Sequence, residues 1–290
     1  MNLTLRENYW DQPILKKQFI DFLIRIHRLD LSLWDRFGYW DTKYRPFSFF
    51  KDNLLVSSLC VYSMDMTVQG KRCLAAQISG VGTLPEFRRQ GLNLKLIRKA
   101  IEWAAPNHDF FFLFADKEAY HFYKKCGFRR VDEYKAVYEI SGVPAKENIV
   151  KLNVRNKKHR DLIYRCAAGR EPVSDVLGVL NEKLFMFWCL YFLKDDIYYI
   201  EELDTLVLYE RQERLLTIFD VVGKKVPPFS EIYPYIGNNN DKTVEFLFMT
   251  DKMNPGRPKE IRLIEDGGTH LYGNFPLENS EFLFPCTSHA

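Results

Sequence analysis

Apolar side chains recur at helical spacing in two stretches of the first half of the chain. Between Ile14 and Ile26 they fall three or four positions apart, and they do so again from Leu92 to Ala104, where lysines and arginines occupy the other positions. This spacing places the apolar residues on one face of a helix. Pro106 follows the second stretch and marks its end. We therefore predict two amphipathic helices that pack against a core.

The segments between and after these helices have patterns typical of β-strands. Two apolar segments are joined by a turn that contains Gly70, which is typical of a β-hairpin. An uninterrupted apolar run is typical of a strand buried on both faces, and a short helix ended by Gly127 and a further strand come next. The segments are, in order, 54–68, 71–83, 109–115, 116–126 and 128–140. The order predicts an α/β (α+β) fold with a mixed central sheet flanked by helices.

An aromatic-rich segment, LSLWDRFGYWDTKYRPFSFF at 31–50, lies between the first helix and the hairpin. Its density of Trp, Tyr and Phe fits core packing or the wall of a substrate site, and packing is the commoner reason.

The second half follows a boundary that contains glycine and proline near 141–150. A segment with helical spacing from about 156 to 193 is followed by three strand-like segments. Further on, VEFLFMTD at 244–251 is similar to FFFLFAD at 110–116. The match indicates an internal repeat with a period near 135 residues. We therefore predict two domains, 1–142 and 150–290, of which the second has the scaffold of the first without its RRQGLN loop.

Composition narrows the class of protein. Hydrophobic residues make up 47% and charged residues 27% of the chain, and the net charge is +3. These values are typical of a soluble globular protein and argue against nucleic acid as its main partner. The most apolar run, 184–193, is half the length of a membrane-spanning helix, which needs about 20 residues, and the first residues resemble no secretory signal. We expect no membrane partner and a cytoplasmic location.

The distribution of cysteine and histidine residues is also typical of a cytoplasmic protein without a metal site. The six cysteines are scattered without a CxxC pair, and the six histidines are isolated. A disulfide framework is not expected in a chain of this size, so we interpret the cysteines as reduced thiols. No spacing indicates a metal site.

The loop before the second helix carries the strongest candidate chemistry. A helix N-terminus exposes unpaired N–H groups and a partial positive charge, which suit a phosphate. Gly91 lets the backbone approach a ligand, and Arg88 and Arg89 can add charge-assisted bonds. Glycines at Gly80 and Gly82 on the preceding strand are explained if a ligand lies against it. The alternative is an ordinary strand–loop–helix connection with solvated arginines.

PEFRRQGLN at 85–93 resembles the acyl-CoA-binding signature of the GNAT (Gcn5-related N-acetyltransferase) superfamily. Arg88 and Gly91 match it, while Asn93 stands where Gly or Ala is usual. FLFADKEAYHFYKKCGF at 112–128 is similar to the family's next motif, with Asp116 in place of its Asn. The resemblance covers residues 1–140. A tandem arrangement with a degenerate second unit resembles acetyltransferases of the enhanced-intracellular-survival type without their third domain.

The resemblance implies acetyl-CoA as co-substrate, no metal, and a set of cofactor-binding residues. The backbone of Val81, Gly82 and Thr83 would bond the pantetheine arm. Asp116 would accept a bond from a pantetheine amide. The pyrophosphate would be held by Arg88, Arg89, Gln90, Gly91, Leu92 and Asn93.

The candidate catalytic residues match the family's pattern less completely than the cofactor-binding residues do. Tyr123 occupies the family's usual acid position, although a phenol with a pKa near 10 acts mainly by orientation; the alternative is a packed aromatic residue. An oxyanion donor is expected among the backbone N–H groups of 82–84. The strand glutamate of many relatives is missing, since the segment offers only Gln77 and Ser79, and Asp65 reads as a surface carboxylate. In tandem relatives the terminal carboxylate enters the site, which makes Ala290 a candidate base.

The resemblance therefore implies an N-acetyltransferase in which a primary amine attacks the thioester of acetyl-CoA directly. The acceptor is a small molecule or a protein amine. The alternative is a non-catalytic acyl-CoA-binding or regulatory protein, which the missing glutamate favours. An oligomer could form through the apolar helix at 184–193.

Overall fold

A computed structural model describes residues 2–265 and 268–290, which form two mixed sheets with helices packed against them. The first part of the chain contributes, in order, β1 (Thr4–Glu7), α1 (Pro13–His27), α2 (Ser32–Arg36), β2 (Tyr44–Lys51), β3 (Leu54–Val68), β4 (Lys71–Thr83), α3 (Leu92–Ala104), β5 (Phe110–Phe114), α4 (Tyr120–Lys125), β6 (Arg129–Arg130) and β7 (Tyr134–Glu139). The second part contributes β8 (Ile149–Lys151), α5 (Lys157–Ala168), β9 (Leu177–Val179), α6 (Glu182–Tyr191), β10 (Ile197–Ile200), β11 (Thr205–Gln212), β12 (Leu215–Gly223), α7 (Phe229–Ile236), β13 (Thr243–Phe246), β14 (Glu260–Leu263) and β15 (Thr269–Gly273).

The first sheet has the strand order β1-β2-β3-β4-β5-β15-β6, with β9 paired to β3. Its neighbours are antiparallel except for β4 and β5, which run parallel because α3 connects them as a crossover. The apolar face of α3, including Leu96, Ile97 and Ala100, is fully buried on this sheet with Phe111. The predicted hairpin, crossover helix and buried strand are confirmed.

The second sheet, β14-β7-β13-β12-β11-β10-β8, repeats this arrangement. An antiparallel β11–β12 pair is followed by α7 and by β13, which runs parallel to β12. This is the topology that the predicted internal repeat requires, and the mixed sheets with flanking helices agree with the predicted fold class.

The two sheets exchange a strand. β7 from the first half lies between β13 and β14 of the second sheet, and β15 from the second half lies between β5 and β6 of the first. The single strand predicted at 128–140 is therefore two strands that belong to different sheets. The spans predicted for the domains, 1–142 and 150–290, do not coincide with the two sheets, because the first sheet takes β9 and β15, and the second sheet takes β7, from across that boundary.

The segment from 156 to 193, which was predicted to be helical throughout, contains two helices separated by β9. The aromatic segment 31–50 supplies α2 and β2. The apolar run at 184–193 lies mostly in the buried helix α6, as predicted. No helix in 2–265 or 268–290 is long and apolar enough to span a membrane.

The last residues of the chain belong to the core. Phe282 and Phe284 are buried, and the ring of Phe284 stacks on Phe112 of β5 with centroids 4.7 Å apart. The ring of Phe275 also stacks on Phe284, with centroids 5.8 Å apart. The C-terminal segment therefore bridges the helices of the second half and the first sheet.

Candidate active site

A notch opens where β4 and β5 part. Their parallel pairing covers only Ala75–Gln77 against Phe110–Phe112, although both strands continue. Just beyond, β4 carries a bulge, because Gly80 and Val81 together face one residue of β3. Gly80 has φ +59°, a left-handed conformation that favours glycine at such a bulge. The bulge turns the strand away from β5 and leaves a gap between them.

The loop before α3 presents its backbone to this gap. Arg88 is extended, whereas Arg89 and Gly91 have φ of +62° and +71°. Left-handed residues next to a helix N-terminus direct successive N–H groups to one side and form a concave anion site. A Cβ built on Gly91 meets nothing within 4 Å, so the space beside its backbone is open.

The adjoining cleft contains about 900 Å³ of atom-free space, open solvent included. Its wall includes Val81, Gly82, Thr83, Arg88, Arg89, Gly91, Leu92, Asn93 and Phe122. Both arginines are exposed, and Arg88 Nε donates to the Thr83 carbonyl at 3.2 Å, which fixes the guanidinium beside the end of β4. The geometry suits a diphosphate at the helix N-terminus with the rest of its carrier along β4.

Several predicted cofactor residues have narrower roles than expected. Asn93 Oδ1 accepts bonds of 2.8 Å from the hydroxyls of Ser57 and Thr83, so only its amide N–H groups remain for a ligand. Leu92 is buried and can contribute only its backbone. Gln90 and Asp116 are exposed and do not line the cleft.

The strand glycines also have a packing role within the protein, in addition to the ligand that is predicted to lie along this strand. A Cβ on Gly82 would lie 2.8 Å from Ile26 Cγ2, and one on Gly80 would lie 3.2 Å from the Tyr44 hydroxyl. The missing side chains therefore let α1 pack closely against β4.

The predicted catalytic groups of the first half are partly engaged elsewhere. Tyr123 is 7% exposed and packs near His270 of β15. Burial, reinforced by Cys126 and Asp116, raises the pKa of Tyr123 above its ordinary value, so the phenol keeps its proton. The backbone N–H of Leu84 donates to a β3 carbonyl at 2.9 Å and is not an oxyanion donor. Asp65 is exposed in an ion pair and lies on the surface, as interpreted from the sequence.

The C-terminal residues reach the apex of the notch. The backbone N–H of Ala290 donates to Gln77 Oε1 at 3.2 Å, and Trp188 Nε1 donates to the His289 carbonyl at 2.8 Å. The His289 ring stacks on Phe114 with centroids 3.5 Å apart. Desolvation between these rings lowers the pKa of His289 to about 3, so the imidazole is neutral. Gln77, which is buried, therefore holds the end of the chain at the point where β4 and β5 separate.

The matching notch of the second sheet is filled by this same segment. The β11–β12 register shifts at Phe219, as β4 does at its bulge. Cys286 occupies this position: its backbone N–H donates a hydrogen bond to the Leu247 carbonyl at 3.0 Å, and its thiol donates to the Phe219 carbonyl. The loop before α7 has prolines at 227 and 228, which lack N–H groups. In the described part of the second unit there is therefore neither a phosphate loop before α7 nor a free notch.

A buried ion pair anchors the segment. Asp220 is inaccessible to solvent and accepts two bonds from Arg170, at 2.7 and 3.0 Å. The Thr287 hydroxyl donates to the same carboxylate at 2.6 Å. The charge of Asp220 is thus fully paired while it fixes the residues just before Ala290.

Sequence reasoning missed the group of side chains around Ala290. They form a narrow cavity beside the notch and include Trp34, Tyr44, Tyr62 and Phe187. The aromatic density of 31–50 was the available signal for Trp34 and Tyr44, whereas Tyr62 and Phe187 lie outside that segment. Within the described residues no group of three or more His, Cys, Asp or Glu side chains is placed to hold a metal ion.

Comparison with known proteins gives the fold a family context. Residues 34–131 match the model of the acetyltransferase (GNAT) domain. A conserved protein of unknown function from Enterococcus faecalis is similar over 93% of this chain and 72% of its own, with 16% identity and a TM-score of 0.58. A GCN5-related N-acetyltransferase from Anabaena variabilis covers 92% and 72%, with 16% identity and a TM-score of 0.56.

Eis1 from Mycobacterium abscessus is similar over 93% of this chain and 73% of its own, with 16% identity and a TM-score of 0.55. At such identities these likenesses concern the fold, and they extend over both sheets. No curated protein matches the sequence.

Proposed function

Since residues 34–131 belong to the GNAT acetyltransferase family, we propose that the protein transfers an acetyl group from acetyl-CoA to a primary amine. The observation that carries the proposal is the pairing of an open notch between β4 and β5 with the left-handed loop at the start of α3. The loop would hold the pyrophosphate through Arg88, Arg89 and the amides around Gly91. The pantetheine arm would then lie along Val81–Thr83, which leads toward the apex of the notch.

The reaction requires three events. The amine nitrogen attacks the thioester carbonyl carbon, the carbon–sulfur bond breaks, and the thiolate takes up a proton equivalent to the one that the amine loses. An alkyl amine with a pKa near 10.4 is protonated at neutral pH, so a base must assist.

We assign the base to the carboxylate of Ala290 in a chain that ends there. Gln77 and Trp188 hold Ala290 and His289 at the apex of the notch, and the neighbouring side chains offer no other carboxylate among the residues that line this end. Tyr123, whose pKa is raised by burial, would orient the thioester sulfur by a hydrogen bond rather than deliver its proton.

Binding is tested with a glycine pair. Gly91→Glu fills the open space at the loop, and Gly70→Glu is its matched control, because Gly70 has φ +74° and equally open surroundings in the β3–β4 turn. Loss of one or two bonds to a charged group, roughly 1.5–3 kcal/mol each, should weaken coenzyme A binding at least about tenfold in Gly91→Glu only. Equal affinities of the two variants in calorimetry would refute the assignment of the loop.

Catalysis is tested by extending the chain. Two residues appended after Ala290 should lower the rate of thiol release about 10²-fold or more, which is typical for loss of a general base, while coenzyme A affinity stays unchanged. The same extension at the N-terminus is the control, and the mass of the protein purified from its source establishes the natural end. Binding of acetyl-CoA without thiol release from any amine would instead support the non-catalytic alternative.

A further inference from the structure

The cavity beside Ala290 is built from three parts of the chain that meet only in the fold. The α1–α2 connection supplies Leu29 and Leu31, the helices supply Trp34, Leu184 and Phe187, and the strands supply Tyr44 and Tyr62. Its atom-free space is about 290 Å³, open solvent included, against about 900 Å³ for the cleft at the α3 loop. Because this figure includes open solvent it is an upper bound, and it leaves no room for a multi-ring sugar.

The interior of the cavity is apolar because the polar atoms of its walls are bonded outside it. The Tyr62 hydroxyl donates to Asp41 at 2.7 Å, and Trp34 Nε1 donates to the Lys183 carbonyl at 2.8 Å. What remains toward the space are ring faces and the methyl groups of leucines. Aromatic faces bind apolar groups and also attract an ammonium ion.

The polar end of the cavity coincides with the reacting position. Ala290 lines it and bonds to Gln77 at the apex of the notch. The Tyr44 hydroxyl, 3.5 Å from Ser79 Oγ, lies at the same end beside the β4 bulge. A ligand with one amine and an apolar body would therefore place the amine at the apex and the body among the rings.

The charges around the cavity do not suit a polycation. The lining side chains are uncharged. The buried carboxylate of Asp41, behind Tyr62, already accepts bonds on both oxygens, from the Tyr62 hydroxyl and from the Lys43 N–H at 3.0 Å. Ammonium groups beyond the reacting one would thus be desolvated without a partner, which is costly.

Resting on the proposed function, we infer that the acceptor is a compact primary amine with a single cationic group on an aryl or alkyl body. We expect the same geometry to disfavour polyamines, aminoglycosides and other polycations. The cavity is the specificity site, and Leu29, which is partly exposed at its rim, is the residue at which charge can be added with the least disturbance to the core.

The test measures binding and turnover separately. 2-Phenylethylamine, hexylamine, 1,6-diaminohexane, spermidine and kanamycin are titrated calorimetrically into the protein with and without coenzyme A, and thiol release from acetyl-CoA is followed with each. We expect 2-phenylethylamine and hexylamine to bind at least tenfold more tightly than the three polycations and to have the highest kcat/KM.

A pair of variants locates the effect. Leu29→Asp should weaken the binding of 2-phenylethylamine at least tenfold and improve that of 1,6-diaminohexane, with coenzyme A affinity unchanged. Leu54→Asp, at a leucine that is 52% exposed at the start of β3, should change the binding of neither amine. Tighter binding of spermidine or kanamycin by the unmodified protein, or an unchanged preference in Leu29→Asp, overturns the inference. Failure to bind coenzyme A would overturn the proposed function instead, and the amine titrations without coenzyme A still decide the cavity assignment.

Discussion

Glu133 joins the first sheet to the C-terminal segment through a carboxyl group that is 3% exposed. Its Oε1 accepts the Phe284 N–H at 2.7 Å, and its Oε2 bonds to the Thr269 hydroxyl. Burial raises the pKa of Glu133 from 4.5 to about 7, opposed by these two bonds. The group therefore titrates near neutral pH at the attachment point of the segment that ends at Ala290.

The sign and size of the effect follow from linkage. Between pH 4.5 and about 7 the folded state holds a proton that the unfolded state has lost, so the contribution of Glu133 to stability is complete below 4.5 and declines as the pH rises through 7. At about 1.4 kcal/mol per pKa unit, the decline amounts to roughly 3 kcal/mol. Glu133→Gln mimics the protonated acid, since its carbonyl can accept from Phe284 and its amide can donate to Thr269.

The assay is urea unfolding of the unmodified protein and Glu133→Gln at pH 4.5, 7 and 9, with Glu147→Gln, at an exposed position, as the control for loss of charge. The free energies of unfolding should agree at pH 4.5, and Glu133→Gln should be more stable by about 2–3 kcal/mol at pH 9. A constant difference between the two proteins across this range would refute the reasoning.

Three further substitutions probe packing and charge. Gly82→Ala places a methyl group 2.8 Å from Ile26 and should lower the free energy of unfolding by about 1–3 kcal/mol in chemical denaturation. Asp220→Ala leaves the Arg170 guanidinium buried without its partner and should cost about 3–5 kcal/mol; a loss below 1 kcal/mol would contradict the role of the pair. Asp65→Asn removes an exposed ion pair, so it should cost less than about 1 kcal/mol and leave thiol release unchanged, whereas a large fall in turnover would restore Asp65 as a base.

Local patterns predicted the elements around the notch. The hairpin of β3 and β4 and the crossover helix α3 each follow from side chains close together in sequence: alternating or continuous apolar residues, Gly70 in the turn, and the stripe from Leu92 to Ala104. The Arg88–Gly91 loop was recognised for the same reason, since its residues are contiguous.

Non-local pairing could not be predicted in this way. β15 reaches β5 across about 155 positions of sequence, and no periodicity in either strand specifies that partner. The break between β6 and β7 is likewise a tertiary effect, because the strand text from 128 to 140 is continuous in its pattern. The cavity beside Ala290 combines side chains separated by more than 200 positions, so the aromatic segment 31–50 could indicate one wall but not the enclosure.

Glycines show how one residue can have two explanations. A ligand along β4 would explain Gly80 and Gly82, and the structure adds that side chains of α1 and β2 leave little room for a Cβ at these positions. The sequence shows only that a side chain is missing, and packing decides which neighbour uses the room.

Because β7 and β15 are exchanged between the two sheets, each half of the chain needs the other to complete its sheet. A polypeptide cut near residue 145 would leave each half with an unfilled slot between two strands and a surplus strand with no sheet to join. Such halves should be recovered as a folded pair only when they are produced together in one cell.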